Sequence, residues 1–232
     1  LAGGRGSRLG KETNTHNKCM LYLFGKPLIE YSFNTAVDLA VEEIVTVVGY
    51  RAEEIIDHYG DSFCGVPIVY CKQEEQRGLV HAMEVAKESI KDSNFCLFLG
   101  DEVFINPRHR EMLRCFHERA LFLICGIVHV EDHNLISKTW TLLGDSVTQS
   151  LHRLVEKPRH PFNNIMGTGN CIMRAEILNY IARVPVHPNR GERELVDLFQ
   201  CAVDEGHTAR YFLLADGYFN MNTVEDIETA ER

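Results

Sequence analysis

The chain has 232 residues, 45% of them hydrophobic, enough to bury the core of one large α/β domain or two small ones. Its 24 basic and 33 acidic residues leave a formal charge of −9, which argues against a nucleic-acid surface but not against a small anion held by local cations. Eight cysteines without a CxxC pair point to reduced, buried thiols in a cytoplasmic protein, and no apolar run reaches membrane-spanning length.

Leu1-Ala2 reads as the tail of a first strand, with a few residues expected before it and no signal peptide visible. Gly3, Gly4 and Gly6 follow, then Ser7, Arg8 and Lys18. Backbone N–H groups at such glycines can turn inward onto an anion, while Arg8 forks onto phosphate oxygens and Lys18 adds a point charge. An ordinary glycine-rich turn fits the glycines equally. A Walker loop is excluded because no GK[ST] closes the stretch. The dinucleotide fingerprint fails because Leu9 stands where its third glycine belongs.

The chain then alternates. Helices are expected over 27–38, 52–59, 79–91 and 107–119, and strands over 43–48, 66–71, 95–99 and 121–129. Such alternation implies right-handed crossovers and a mostly parallel sheet. A meander of short strands follows at 140–144, 147–151 and 154–157, then a strand ending at Ile172. Helices at 175–183 and 194–205, a strand at 209–214 and a last helix from Val224 complete the pattern. Nothing between them is rich enough in Pro, Gly or Ser to separate domains.

Three places could carry chemistry. Asp101 follows a buried strand, where an acid either holds Mg²⁺ or caps a turn. The Gln73 amide can read a base edge, and Gly78 would let a flat base lie on bare backbone, although a surface Gln and a helix-start glycine serve as well. Glu156-Lys157 offers a carboxylate and a cation side by side, which also describes an edge-strand ion pair. Zinc is not expected, since the eleven His form no HExxH or HxH pair.

Taken together, these stretches resemble a family. LAGGRGSRLGKETNTHNKCMLYLFGKPLIEY is similar to the LAGGxGTRLxPLTxxxPKxLxPVxxKPxIEY signature of the nucleotidyltransferases that make nucleotide sugars. Ser7, Gly10 and Asn17 depart from it mildly. LGDEVF resembles the LGDxxF of the sugar-1-phosphate thymidylyltransferases, whose Asp binds metal. Gln73 followed by GLVHA keeps the family spacing, with His81 where Gln often stands. VEKP at 155–158 matches at every position, and GTGNCI at 167–172 resembles TGxYxF with Cys171 in place of Tyr. RGERELVD at 190–197 resembles RGELEITD. GYFNMNTVEDI at 217–227 resembles WxDxGTPEDL, with Asn220 where the family's Asp stands and Asn222 where its Gly stands.

The resemblance implies a Rossmann-like three-layer α/β sandwich, mostly parallel with helices on both faces. It implies one nucleotidyltransferase domain over 1–232, with a nucleotide-binding half at 1–120 and an acceptor-binding half at 121–232. The implied reaction joins an NTP to a sugar 1-phosphate, or a similar phosphorylated small molecule, with Mg²⁺ as cofactor and pyrophosphate as leaving group. Leu1, Ala2, Gly3, Gly4, Arg8, Lys18, Gln73, Gly78 and Asp101 would bind nucleotide. Glu156, Lys157, Thr168 and Gly169 would bind the acceptor, and Arg8, Lys18, Asp101 and Lys157 would be catalytic. Asp101 with Asn220, or Asn222, would hold the metal. Neither nucleic acid nor membrane is an expected partner, and a homo-oligomer is compatible. Two alternatives stand beside this reading: a cytidylyltransferase for a non-sugar phosphate or phosphonate, and a catalytically silent homologue that binds nucleotide sugar. A glycosyltransferase of the related fold is disfavoured because LGDEVF lacks a DxD.

Overall fold

The structure is a computed structural model that describes residues 1–4, 16–188, 190–221 and 226. Arg8, Asn222 and nearly all of the expected last helix lie outside the described residues. In order, the elements are a 3₁₀ turn (Lys18–Met20), β1 (Tyr22–Leu23), β2 (Lys26–Pro27), α1 (Ile29–Asp38), β3 (Ile44–Val48), α2 (Ala52–Tyr59), β4 (Ser62–Phe63) and β5 (Val66–Lys72). Next come α3 (Gly78–Ile90), β6 (Phe95–Leu97), β7 (Glu102–Ile105), α4 (His109–Glu118), β8 (Leu123–His129), α5 (His133–Ile136), β9 (Trp140–Gly144) and β10 (Leu151–Glu156). The rest are β11 (Ile165–Met173), a 3₁₀ helix (Ala175–Arg183), α6 (Leu195–Asp204), β12 (Ala209–Leu213) and β13 (Gly217–Asn220).

The main sheet has the order β12-β8-β11-β6. Its centre is β8, buried from Leu123 to Val128, as a strand with neighbours on both edges and cover on both faces requires. A second sheet, β3-β5-β4, stands beside it. Leu1-Ala2 joins the two, since Ala2 N–H donates to Val47 O (2.8 Å) and Gly100 N–H donates to Leu1 O (3.0 Å). Helix α1 buries Ile29, Phe33 and Ala36, an i, i+4, i+7 stripe, against the second sheet. Leu198, Phe199 and Ala202 of α6 bury with Cys125, Cys171 and Met173 of the main sheet.

The layered α/β class matches the expectation, but the sheets are mixed rather than mostly parallel. Parallel pairing joins β3 to β5 and β8 to β12; β11 runs antiparallel to both β8 and β6. The chain returns from the meander to β11 without a helical crossover, so nothing turns the strand parallel. The meander itself is two strands. The expected strands at 147–151 and 154–157 are one, β10, antiparallel to β9, because Asp145 accepts from the N–H groups of Val147 and Thr148 and folds 145–148 into the turn. Residues 175–183 are 3₁₀ rather than α, with Ile177, Leu178 and Ile181 buried. The short strands β7 and β13, antiparallel to each other, were not expected; they carry much of the site.

Candidate active site

A cleft of about 420 Å³ lies beside the glycines that follow Leu1-Ala2. Of the residues singled out from sequence, Leu1, Ala2, Gly3, Gly4, Lys18, Gln73, Gly78, Asp101, Glu156, Lys157, Thr168, Gly169 and Asn220 all line it. The structure thus brings together every described member of the set.

At one end Lys18 pairs with Asp101. Asn17 shapes the approach to Lys18, and the Asn that departs from the family's Pro has a clear structural use. Its Oδ1 accepts from Cys19 N–H (2.8 Å), its Nδ2 donates to Tyr50 O (2.7 Å), and its own N–H donates to Glu54 (2.7 Å). Asp101 sits between β6 and β7 and is tied to the residue after β13, as Met221 N–H donates to its carbonyl (3.1 Å). Register pairing sets Asn220 opposite Glu102, so Asn220 reaches the cleft beside Asp101.

Glu102 is a functional candidate that the sequence reading passed over. It is 3% exposed. Gly169 N–H donates to both of its oxygens (2.9 and 3.1 Å), Asn170 Nδ2 to Oε2 (2.7 Å) and Tyr218 Oη to Oε1 (2.8 Å). His109 extends the network through Asn170 Oδ1 (2.8 Å). Burial first, then the Asp101 charge, pushes the Glu102 carboxyl up to about 7, against the pull of its donors. Burial and Glu102 push Tyr218 well above the ordinary phenol range, so it stays a donor. The only sequence signal was an acid placed directly after Asp101 at the head of a Val-Phe-Ile run.

The other end is built by β9, β10 and β11. Lys157 Nζ lies 3.0 Å from Glu156 Oε1. Burial raises the Glu156 pKa, and Lys157 offsets part of the effect. Lys157 itself has φ +42°, a left-handed conformation costly for a side chain, and its N–H is anchored on Thr139 O (2.7 Å). Strain at the residue after a strand re-aims its side chain into the cleft. The floor is β11, where Trp140 lies flat against Gly167: a Cβ there would stand 2.0 Å from the indole. The Trp140 indole N–H donates to Thr168 O (3.3 Å).

Between the ends lies Gly78, at φ +86°, where only glycine starts the helix without strain. Gln73 is 4% exposed beside it, and its Nε2 donates to Gly78 O (3.2 Å). Glu192 covers the same glycine, 3.0 Å from where a Cβ would be. Cys171 is buried in the core and does not line the cleft.

The described lining holds four cations (Lys18, Lys138, Lys157, Arg193) against five carboxylates (Asp101, Glu102, Glu156, Glu192, Glu194). Among the described residues, no group of three or more His, Cys, Asp or Glu is placed to hold a metal. A hard cation that takes one or two protein oxygens and completes its shell with waters and phosphate oxygens fits Asp101 and Asn220; zinc or calcium cages do not. A phosphorylated ligand in this cleft needs positive charge beyond the described lining.

Comparison with known proteins follows this geometry. The family model described as nucleotidyl transferase matches residues 1–230. A UTP–glucose-1-phosphate uridylyltransferase of Haloferax volcanii is 32% identical over 234 residues, covering 100% of this chain and 93% of that protein. A glucose-1-phosphate thymidylyltransferase of Streptomyces griseus is 25% identical over 238 residues, covering 100% of this chain but 64% of its own length. In fold, the crystal structure of a UDP-glucose pyrophosphorylase complexed with UDP-glucose superposes with a TM-score of 0.89 at 20% identity, covering 99% and 94% of the two chains.

Proposed function

Because the chain belongs to the nucleotidyl transferase family, we propose that it transfers a nucleotidyl group from an NTP to a sugar 1-phosphate, forming an NDP-sugar and releasing pyrophosphate. The observation that carries this reading is the convergence of the Lys18–Asp101 pair and the Glu156–Lys157 pair on one cleft, with β11 packed through Gly167 and Gly169 against Trp140 and Leu99 beneath it.

No covalent intermediate is required. The acceptor phosphate oxygen attacks the α-phosphorus in line, the P–O bond to the β-phosphate breaks, and pyrophosphate leaves with the electron pair. Catalysis is then positioning and charge neutralisation. Lys157 draws the acceptor phosphate into line, and Glu156 accepts from sugar hydroxyls. Thr168 and Gly169 line the sugar side of the cleft from β11. Lys18 neutralises the α-phosphate, and Arg8, from the glycine-rich loop, holds the β- and γ-phosphates. The near balance of charge in the described lining supports giving Arg8 that task. Mg²⁺ held by Asp101 and Asn220 would supply further neutralisation at the α-phosphate and the leaving group.

On this reading residues 1–232 act as one domain, its nucleotide half at 1–120 and its acceptor half at 121–232 meeting at the cleft. No helix among the described residues is long and apolar enough to cross a membrane, and all eight cysteines are free thiols. Both support a cytoplasmic enzyme. Pyrophosphate release, measured with a panel of NTPs and sugar 1-phosphates, tests the proposal. Release with at least one pair bears it out; tight nucleotide-sugar binding without release from any pair would replace it with the silent-homologue reading.

A further inference from the structure

We infer that Lys138 and Thr139, which belong to none of the sequence motifs, form with Lys157 the pocket for the acceptor's phosphate group. This rests on the nucleotidyltransferase reading above and adds two binding residues to its acceptor end.

The backbone sets these residues side by side. Lys138 and Thr139 follow α5 and precede β9, and both line the cleft. Their N–H groups donate to Leu135 O (3.1 Å) and Ile136 O (3.0 Å), so the segment is anchored on the last turn of α5. Two further bonds stitch it to the chain that carries Lys157. On one side of Lys138, Ser137 Oγ donates to Pro158 O (2.9 Å). On the other, Lys157 N–H donates to Thr139 O (2.7 Å). Lys138 therefore springs from the backbone next to Lys157, between two fixed points.

Two unmet polar groups meet there. Thr139 Oγ1 is buried and has no hydrogen-bond partner among the described residues. A buried hydroxyl costs free energy until something bonds to it, so its presence at a cleft wall calls for a ligand. The second group is the Lys138 ammonium. Lys18 is paired with Asp101, Lys157 with Glu156 (3.0 Å), and Arg193 Nε donates to Val184 O (3.1 Å). Among the described cations of the lining, Lys138 alone has no side-chain partner. A phosphate monoester carries about two negative charges at neutral pH. The Lys157–Glu156 pair is close to neutral as a unit and cannot balance them. Lys138 supplies the missing charge, with three donors on a stem long enough to close on the ligand. The Thr139 hydroxyl supplies a further donor at a fixed place.

In a nucleotide sugar the acceptor's phosphate survives as the one beside the sugar, so product binding probes the pocket without any turnover. Calorimetric titration compares UDP-, dTDP-, GDP-, ADP- and CDP-glucose with the matching nucleoside monophosphates, which lack that phosphate. For the nucleotide sugar that the wild type binds best, Lys138→Met should weaken binding about tenfold or more, the worth of one charge-assisted hydrogen bond. Binding of the monophosphate should stay within about twofold. Lys138→Arg keeps the charge and should stay within about threefold of wild type. Thr139→Val should weaken the nucleotide sugar by about threefold or more while its thermal midpoint holds or rises, because it removes an unpaired buried hydroxyl. A merely structural role would lower midpoint and affinity together and would weaken both ligands alike; that result overturns the inference. Undiminished nucleotide-sugar binding in Lys138→Met overturns it too, as does a loss seen only with UDP-glucuronate, which would move the contact to a carboxylate on the sugar. If the variants behave as expected but no pyrophosphate is released with any substrate pair, the transfer reaction falls and the phosphate pocket stands. If pyrophosphate is released and Lys138→Met leaves the acceptor KM unchanged, the transfer reaction stands and the pocket falls. If the wild type binds none of these ligands and releases no pyrophosphate, both fall.

Discussion

The two ends of the cleft are held in different ways. At the nucleotide end, Lys18 and Asp101 are 10% and 21% exposed, and the next residue, Glu102, is locked by donors from β11 and β13. At the acceptor end, Lys157 is 38% exposed; its backbone is set by one strained angle and the hydrogen bond from its N–H to Thr139 O, and its side chain pairs with Glu156. A buried network fixes a geometry even when nothing is bound. A strained, half-exposed turn fixes a direction but leaves the side chain mobile. The nucleotide end should therefore be preorganised, and the acceptor end should complete itself on binding.

Breaking the preorganised end should cost most. Asp101→Ala removes the carboxylate that pairs with Lys18 and that faces the proposed metal. Turnover should fall at least about a hundredfold, the scale for losing one charge-stabilising group at a reacting centre, while the thermal midpoint changes little. Activity near wild type at limiting Mg²⁺ would take Asp101 out of the chemistry.

The next effect is on stability. Glu102→Leu leaves Gly169 N–H, Asn170 Nδ2 and Tyr218 Oη without their acceptor in a dry interior. Unmet buried donors of this kind should cost about 3 kcal/mol or more together. Glu102→Gln keeps one oxygen acceptor and should recover part of that loss. Chemical denaturation of the three proteins reads it, and equal midpoints would show that the network does not hold this end.

The same contrast explains what could be read from the residues alone. Lys18, Gln73, Gly78, Asp101, Glu156 and Lys157 lie in short contiguous stretches, because each stands at or beside the end of a strand or the start of a helix. Glu102, Tyr218 and Asn170 meet only through strand register, and they are 116 and 68 residues apart from Glu102 along the chain. No local pattern carries that information. The strands that bring them together, β7 and β13, are four residues each, too short for alternation to stand out. Mixed pairing was missed for a related reason: the helix–strand alternation of the first half predicts parallel neighbours, and only the long-range placement of β11 between β8 and β6 reverses it. The 3₁₀ stretch at 175–183 shows the limit of apolar spacing, which marks a buried face and leaves the hydrogen-bond pattern open.

At the mobile end the expected losses are smaller and selective. Lys157→Ala removes the proposed charge-assisted contact to the acceptor phosphate, on the order of 1.5–3 kcal/mol. The acceptor's kcat/KM should drop roughly tenfold to a hundredfold, with the NTP parameters close to wild type. If only the NTP parameters moved, the two ends would not divide the substrates as proposed.

The smallest effect is a pH dependence at the same end. Burial raises the Glu156 pKa above its ordinary value of 4.5, in spite of Lys157 beside it. A carboxyl whose folded pKa is raised contributes stability that is fully present below the unfolded value and is lost as pH rises through the folded one. Ionising Glu156 therefore works against folding, and the neutral Glu156→Gln cannot suffer that loss. Denaturation midpoints of wild type and variant should keep a constant offset at acid pH, then move in the variant's favour as pH rises above 4.5, levelling once Glu156 is ionised in both states. The shift should be modest, because Glu156 is 18% exposed and Lys157 compensates part of the burial. Activity should respond in the opposite sense, since an amide accepts less strongly from sugar hydroxyls, so the variant would gain stability relative to its acid-pH offset and be the poorer enzyme at neutral pH. Parallel stability curves across the whole range would mean that the carboxyl keeps its solvent, and the acceptor end would then be looser than its strained turn suggests.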